Sequence, residues 1–444
     1  MKNVLFVSYE FPPLNRGGVY RPLGFVKYLK DFGINPIILT LAQRDFPVVY
    51  GEVGLDNSII DRFFSNMNII EVSSLKLLNS NKSKFLNFIN IFFSINGREG
   101  KAWEVDFKIK IKSAIDKYKP SALIVTAPPF SIIPLVINAG KQYNIPVITD
   151  FRDAMSQWNM NPFGSYFHYF LTLKNERKYL IESDAIIVTS KQTLNDFSSH
   201  HPKISASKFN YIPNGFDGKL EEWTPLPEKQ SYTIGYVGSF YYTPETRKNL
   251  FTPWWRKKGH HIFQYSPNLE DWLYRSPYFF FKTFSYFIEA NPIWKKRIKI
   301  KFAGFIPDWL IKMIEEFCLN DIVELKGVIS HKDSINFQKE CDVLLITSAK
   351  KINGRDYSIA GKTFEYFKTQ KPILAFVAEG AQKDLLNESG MALILNPDEI
   401  EASARLMHDF FERKMHLNPN ISFIEQFDRK MQTKKLAKVI QDLN

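Results

Sequence analysis

The sequence predicts an α/β protein built from two doubly wound domains, and three observations predict it. Short runs rich in Val, Ile and Leu recur along the chain with helical patterns between them, which is the signature of βαβ units. A turn-rich stretch around residue 217 is followed by a second series of the same kind. In both series glycines stand in the loop after the first strand, Gly17 and Gly18 in one and Gly238, followed by Ser239, in the other. A right-handed βαβ crossover leaves its ligand at the carboxyl edge of the sheet, so these loops are the first places to look for a site.

The first domain spans residues 1–217. Val4 to Val7 predict its first strand and Pro12 to Gly18 a loop. Pro22, Leu23, Phe25, Val26 and Leu29 form the apolar side of a helix that ends at Gly33. Gly17 and Gly18 let the backbone approach a phosphate or sugar, although paired glycines also suit an ordinary turn. Further strands are predicted at Pro36 to Leu39, Asn68 to Val72, Ala122 to Thr126, Val147 to Asp150, Ala185 to Thr189 and Asn210 to Ile212. Residues 75–95 mix Leu, Phe and Ile with Lys and Asn, which reads either as a packed amphipathic helix or as a lid facing a membrane. TAPPF (126–130) follows a strand, its prolines restricting the turn. DFRD (150–153) puts three charges at the end of a buried strand, where they need partners. Those charges face a ligand, or Arg152 forms a salt bridge holding two loops together. YIPNGFD (211–217) closes the domain, and 218–230, with two prolines and mixed charge, reads as a linker.

The second domain spans 218–420, with strands predicted at Tyr232 to Val237, Ile298 to Phe302, Ile322 to Leu325, Val343 to Ile346, Ile373 to Phe376 and Ala392 to Leu395. Between the first two lies an insertion, 241–275, with six Lys or Arg against three acids and nine aromatics, among them Trp254, Trp255 and Trp272. Residues 423–443 predict a last helix. The stretch 342–376 is the most informative: strand, polar loop, helix, strand. Ser358 is placed to cap the helix, Lys362 and Glu365 share one of its faces, and Phe364 and Phe367 point toward the sheet. A helix N-terminus offers free N–H groups to an anion, Gly361 permits close approach, Lys362 adds a cation and Glu365 accepts from hydroxyls. That combination suits a sugar diphosphate. The alternative is a solvated Lys and Glu pair on a surface helix.

Composition sets limits on function. The 444 residues are 45% hydrophobic, and the formal charge of +12 with a pI near 9.3 favours an anionic partner: a nucleotide-linked substrate, an acidic membrane surface or nucleic acid. Cys318 and Cys341 are the only cysteines and have neither CxxC nor Cys/His spacing, which argues against a structural zinc site and a disulfide scaffold and fits a reducing cytoplasm. Met1 to Val7 is too short for a secretory signal, and no stretch reaches the ~18 apolar residues that span a bilayer. The expected location is cytoplasmic, soluble or peripheral at the inner face of the membrane.

The chain resembles the family 4 glycosyltransferases, of the GT-B fold. The residues that carry the resemblance are FPPLNRGGVYRPLGFVKYL, TAPPFS, DFRD, YIPNGFD, YVGSF, the run from Gly327 to Asp342, and AGKTFEYF followed by KPILA. They span nearly the whole chain in the family's order. The resemblance implies two Rossmann-like domains facing a central cleft and transfer of a hexose, with retention, from a nucleotide-diphosphate sugar of UDP or GDP type. It implies no metal and no cofactor, and an acceptor that is a saccharide or lipid-linked saccharide in bacterial surface-polysaccharide synthesis. By position it assigns Gly361, Lys362, Phe364 and Glu365 to the donor pocket, with Gly238 and Ser239 after the first strand beside them. Val328 and Ile329 fall at the nucleotide base and Gly17 and Gly18 at the diphosphate. Asp150, Arg152 and Asp153 fall at the cleft edge, so Glu365, Arg152 and Asp153 are the candidates for the chemistry. Residues 421–444 would cross back to the first domain. The chain departs from the family twice. Tyr357 stands where the first of two spaced glutamates is usual, with Glu365 as the second. No Arg and Lys pair follows the first strand of the second domain, unless Arg247 and Lys248 fold back. The same fold also serves sugar-nucleotide 2-epimerases, which need no acceptor. A basic nucleic-acid binder is the non-enzymatic reading, and nothing here looks like a recognised nucleic-acid module, so no nucleic-acid partner is expected.

Overall fold

The computed structural model describes residues 1–14, 16–51, 55, 67–74, 97–157 and 162–443; the amphipathic stretch 75–95 lies outside the described residues. The chain forms two compact units. One comprises Met1–Asp217, Phe263–Pro267 and Arg429–Asn444, the other Gly218–Ile262 and Asn268–Asp428.

The first unit is built on seven strands: β1 (Lys2–Ser8), β2 (Ile34–Leu41), β3 (Asn68–Val72), β4 (Ala122–Ala127), β5 (Val147–Phe151), β6 (Ala185–Val188) and β7 (Phe209–Tyr211). They make one parallel sheet in the order β3-β2-β1-β4-β5-β6-β7. The inner strands β1, β2, β4, β5 and β6 are buried on both faces because helices cover both, whereas the edge strands β3 and β7 are partly exposed, and the period of two sorts their side chains. Leu5 and Val7 of β1 join Trp103 and Phe107, from the Glu99–Tyr118 helix, in one core. Val4 and Phe6 of the same strand join Phe25 and Val26, from the Tyr20–Tyr28 helix, together with Leu436 and Ile440, in the other. The 20–28 helix tightens into a 3₁₀ turn, Leu29–Phe32, and stops at Gly33, whose φ of 77° is the left-handed conformation that ends helices.

The second unit contains β8 (Tyr232–Val237), β9 (Glu270–Asp271), β10 (Ile298–Ala303), β11 (Val323–Leu325), β12 (Val343–Thr347), β13 (Lys350–Lys351), β14 (Ile373–Phe376) and β15 (Ala392–Leu395). Six of these form a parallel sheet in the order β11-β10-β8-β12-β14-β15. The short strands β9 and β13 pair antiparallel, Glu270 opposite Lys351 and Asp271 opposite Lys350. The Tyr278–Ala290 helix buries Phe280, Phe281, Phe284 and Phe287, and packs against the Ile400–Phe411 helix. Residues 218–230 are tied to this unit: Glu221 N–H donates to the Lys368 carbonyl at 3.0 Å and Thr224 N–H to that of Gln370 at 3.1 Å.

Each sheet reverses its strand order beside its first strand, between β1 and β4 in one unit and between β8 and β12 in the other. Such switch points open a crevice at the carboxyl ends of the strands. The terminal segment is two helices, Ile421–Glu425 and Arg429–Asp442, where one was expected over 423–443. Asn420 caps the first by accepting from Phe423 N–H at 3.1 Å, and the second packs on the Tyr20–Tyr28 helix. Among the described residues no helix is long and apolar enough to cross a membrane.

Candidate functional site

In the second unit three glycine turns meet at the carboxyl edge of the sheet. Gly238 follows β8 with φ 105°, Gly304 follows β10 with φ 154° and Gly327 follows β11 with φ 70°. Gly238 N–H donates to the Ala303 carbonyl at 2.7 Å, and Gly304 N–H to that of Gly327 at 2.8 Å. A Cβ on Gly304 would collide with the Gly238 backbone, so only glycine allows this approach. Gly304 was not singled out from the sequence; its place directly after a strand, as with Gly238, was the available signal.

Lys362 reaches this turn. Its Nζ lies 3.5 Å from the centroid of the Tyr236 ring and 3.1 Å from where a Cβ on Gly238 would stand. Tyr236 is itself held, stacked on Phe240 at 4.0 Å and donating its hydroxyl to the Ser239 carbonyl at 3.2 Å. Removal from water pushes the Lys362 ammonium down to about 7, with Glu365 pulling the other way. This is a cation resting on an aromatic face, rather than a solvated surface charge. Glu365 is half-buried on the same helix and accepts from Gln338 Nε2 at 3.3 Å.

The helix carrying both runs Gly361–Thr369 with Ala360 at its N-cap and no side-chain cap, which corrects the placement of Ser358. Ser358 Oγ is already engaged, donating to Asp356 Oδ2 and accepting from Arg275 Nη2 at 2.7 Å. A Cβ on Gly361 would meet nothing within 4 Å, so the start of the helix is open. Phe364 stands apart from Lys362 and Glu365: it is buried against Phe427 at 5.4 Å, because two residues turn a helix by about 200°. Tyr357 is buried as well. Val328 is 79% exposed in the loop after β11 and Ile329 is half-buried. Arg247 is bound bidentate to Asp271, at 2.7 Å from each of two nitrogens, and Lys248 is exposed on the same helix.

Arg275 was overlooked in the sequence because it lies at the end of the insertion, far along the chain from residue 358. Its guanidinium sits 3.4 Å from Glu270 and 3.7 Å from Asp356, over the Trp272 ring at 5.2 Å. Burial works against its charge, but Glu270 and Asp356 outweigh it and leave the group held in its charged form. It thereby pins the loop that leads into the Lys362 helix.

In the first unit, Arg152 donates to the carbonyls of Gly18 and Pro128 and lies 3.7 Å from Glu10. It therefore fastens the β1 and β4 loops to each other, the structural role weighed for it above. A Cβ on Gly18 would collide with both Glu10 and Arg152, whereas Gly17 has open space around it. Asp150 is fully buried and pairs with Arg21, at 2.8 and 3.0 Å, while accepting from Thr126 at 2.8 Å. Arg21, unread in the sequence, also donates to the carbonyls of Ile212 and Pro213 at 2.8 and 2.9 Å. Asp153 is half-buried in the loop after β5.

No family model and no curated protein matches the sequence. Solved structures do. A glycosyltransferase from Rickettsia africae is 16% identical with a TM-score of 0.57, covering 100% of this chain and 98% of its own. Anabaena HepE, solved in complex with UDP-glucose, is 13% identical with a TM-score of 0.56 and full coverage of both chains. A UDP-GlcNAc 2-epimerase from Methanocaldococcus jannaschii is 11% identical with a TM-score of 0.50, again over both whole chains. The two parallel-sheet, Rossmann-like units of this chain are those of the GT-B fold.

Proposed function

We propose that the protein is a glycosyltransferase that moves a hexose, with retention, from a UDP- or GDP-linked sugar to a saccharide or lipid-linked saccharide of a bacterial surface polysaccharide. The observation that carries this reading is Lys362, a cation laid on Tyr236 among the Gly238, Gly304 and Gly327 turns at the switch point of the second sheet. Backbone N–H groups at an open helix start and one desolvated cation match a diphosphate. Transfer breaks the bond between the anomeric carbon and the β-phosphate oxygen, makes one to an acceptor hydroxyl, and delivers that hydroxyl's proton to the departing diphosphate. Lys362 would stabilise the charge developing there, and Glu365 would hold sugar hydroxyls. Arg152, through Gly18 and Pro128, would position the first unit's loops, and Asp153 beside it remains a candidate near the reacting centre. The Lys362 helix then supplies the neutralisation that a metal supplies elsewhere.

Titration calorimetry with UDP, GDP and their sugars tests the site. Lys362→Ala should weaken nucleotide binding roughly 10- to 100-fold, the worth of one charge-assisted contact, while Glu365→Gln should retain nucleotide and lose turnover. Unchanged affinity in Lys362→Ala would remove the assignment. Turnover should persist in EDTA; loss that magnesium or manganese restores would refute metal independence. The UDP-GlcNAc 2-epimerase that shares this fold makes a second outcome readable: conversion of UDP-GlcNAc with no acceptor present would replace transfer by epimerisation.

A further inference from the structure

The second unit exposes an aromatic and basic turn that the donor site does not use. After the Pro244–Phe251 helix the chain makes a 3₁₀ turn, Trp254–Arg256, closed by Arg256 N–H donating to the Pro253 carbonyl at 2.9 Å and Lys257 N–H to that of Trp254 at 3.1 Å. Trp254 and Trp255 are 64% and 67% exposed, although burying either would have stabilised the insertion. Trp272, the third tryptophan of the insertion, behaves differently, since it lies under Arg275. The turn is firmly mounted. Arg247, on the preceding helix, grips Asp271 at 2.7 Å, and Asp271 is paired across β9 and β13 with Lys350.

Charge and ring geometry together define the partner. Residues 246–262 contain five Lys or Arg and no Asp or Glu, and with Arg247 engaged by Asp271, Lys248, Arg256, Lys257 and Lys258 are left to an outside partner. The two indoles stand at 88° with centroids 6.0 Å apart. A saccharide or a run of bases stacks on ring faces laid along a line. A perpendicular pair offers no such shelf, whereas indoles beside ammonium groups match the boundary between acyl chains and anionic headgroups.

We propose that the Trp254–Lys258 turn docks the protein on an anionic lipid bilayer, the two indoles entering the headgroup boundary and the basic residues pairing with lipid phosphates. This deepens the proposed function by making the acceptor lipid-borne, and rests on that reading only for the consequence, since docking needs no nucleotide. Sedimentation of the full chain with vesicles tests it, using phosphatidylcholine alone or with phosphatidylglycerol, at low and high salt. The bound fraction should rise with phosphatidylglycerol and fall with salt, about five-fold in affinity for each basic residue neutralised. Trp254→Ala/Trp255→Ala should lower affinity at least ten-fold at every salt concentration, and Arg256→Gln/Lys257→Gln/Lys258→Gln should flatten the salt dependence. Both variants should bind UDP or GDP as the wild type does, which reports their folding and separates docking from the donor site. Equal sedimentation with and without phosphatidylglycerol, or wild-type binding by the Trp variant, would each overturn the proposal.

Discussion

Lys362 is subject to two opposite pH dependences, both following from its place on Tyr236. Burial holds its folded-state titration near 7, far below the ordinary lysine range. Between about 7 and the ordinary value of 10.5 the unfolded chain binds more protons, so this residue makes stability rise with pH across that window; below it both states are protonated, the slope vanishes and the burial penalty is at its full size. A bound diphosphate prefers the charged ammonium, so its affinity moves the other way. We expect nucleotide affinity to fall by up to about ten-fold per pH unit above 7, until the ammonium's higher titration point in the complex is reached. Calorimetry at pH 6.5, 7.5 and 8.5 measures this; Lys362→Met should abolish the slope, and an identical slope in that variant would show that another group titrates. Helical spacing was enough to place Lys362 and Glu365 on one face. Tyr236 was legible only as a strand residue, since the ring beneath a lysine is set by packing between elements distant in sequence. Ser358 failed as a cap for the same reason: Arg275, 83 positions away, holds its hydroxyl.

At the scale of elements, the parallel strands were readable because they are short apolar, β-branched runs between helical segments, and β3, β8, β14 and β15 have the boundaries their sequences predict. The β9 and β13 pair was not readable. Two residues carry no periodicity, and the pairing exists only because the insertion returns to Lys350 and Lys351. What joins elements was also hidden, above all Arg21, which ties the Tyr20–Tyr28 helix to β5 and to the carbonyls after β7. Arg21→Ala leaves Asp150 buried with Thr126 as its remaining side-chain partner, and should destabilise the first unit by about 3–5 kcal/mol in urea unfolding. Asp150→Asn keeps an acceptor and should be milder; a loss below about 1 kcal/mol in Arg21→Ala would deny the pair this role. Gly304→Ala tests the glycine turns. Its φ of 154° and the Gly238 backbone leave no room for a Cβ, so β8 and β10 must part at their carboxyl ends. Strain of roughly 1–3 kcal/mol plus the clash should lower the melting temperature and weaken nucleotide binding together.

The whole molecule adds a dependence that neither a residue nor a strand reveals: the chain's last helix belongs to its first unit. Along Arg429–Asp442, Leu436, Ala437, Val439 and Ile440 are buried in the core that also holds Val4, Phe6, Phe25 and Ile124. Gly24 makes the approach close enough for Thr433 Oγ1 to reach its carbonyl at 3.5 Å, while Arg429 pairs with Asp217 at 2.6 Å. The apolar spacing of this helix was visible in the sequence, and the family resemblance alone implied a return to the first domain; spacing by itself says nothing of contacts made more than 400 positions away. Fully burying Leu436, Val439 and Ile440 is worth about 1.5–3 kcal/mol each, so together they match much of the ~5–15 kcal/mol that holds a typical domain folded. Ending the chain at Asp428 should therefore unfold the first unit, seen as an early thermal transition and as binding of a dye that reports exposed apolar surface. Nucleotide binding by the second unit, whose Lys362 turn uses no residue beyond 428, should survive at temperatures below its own transition. The milder Leu436→Ala/Ile440→Ala should lower only the first transition. A truncated chain with one transition at the full-length temperature would show that the helix covers nothing the first unit needs.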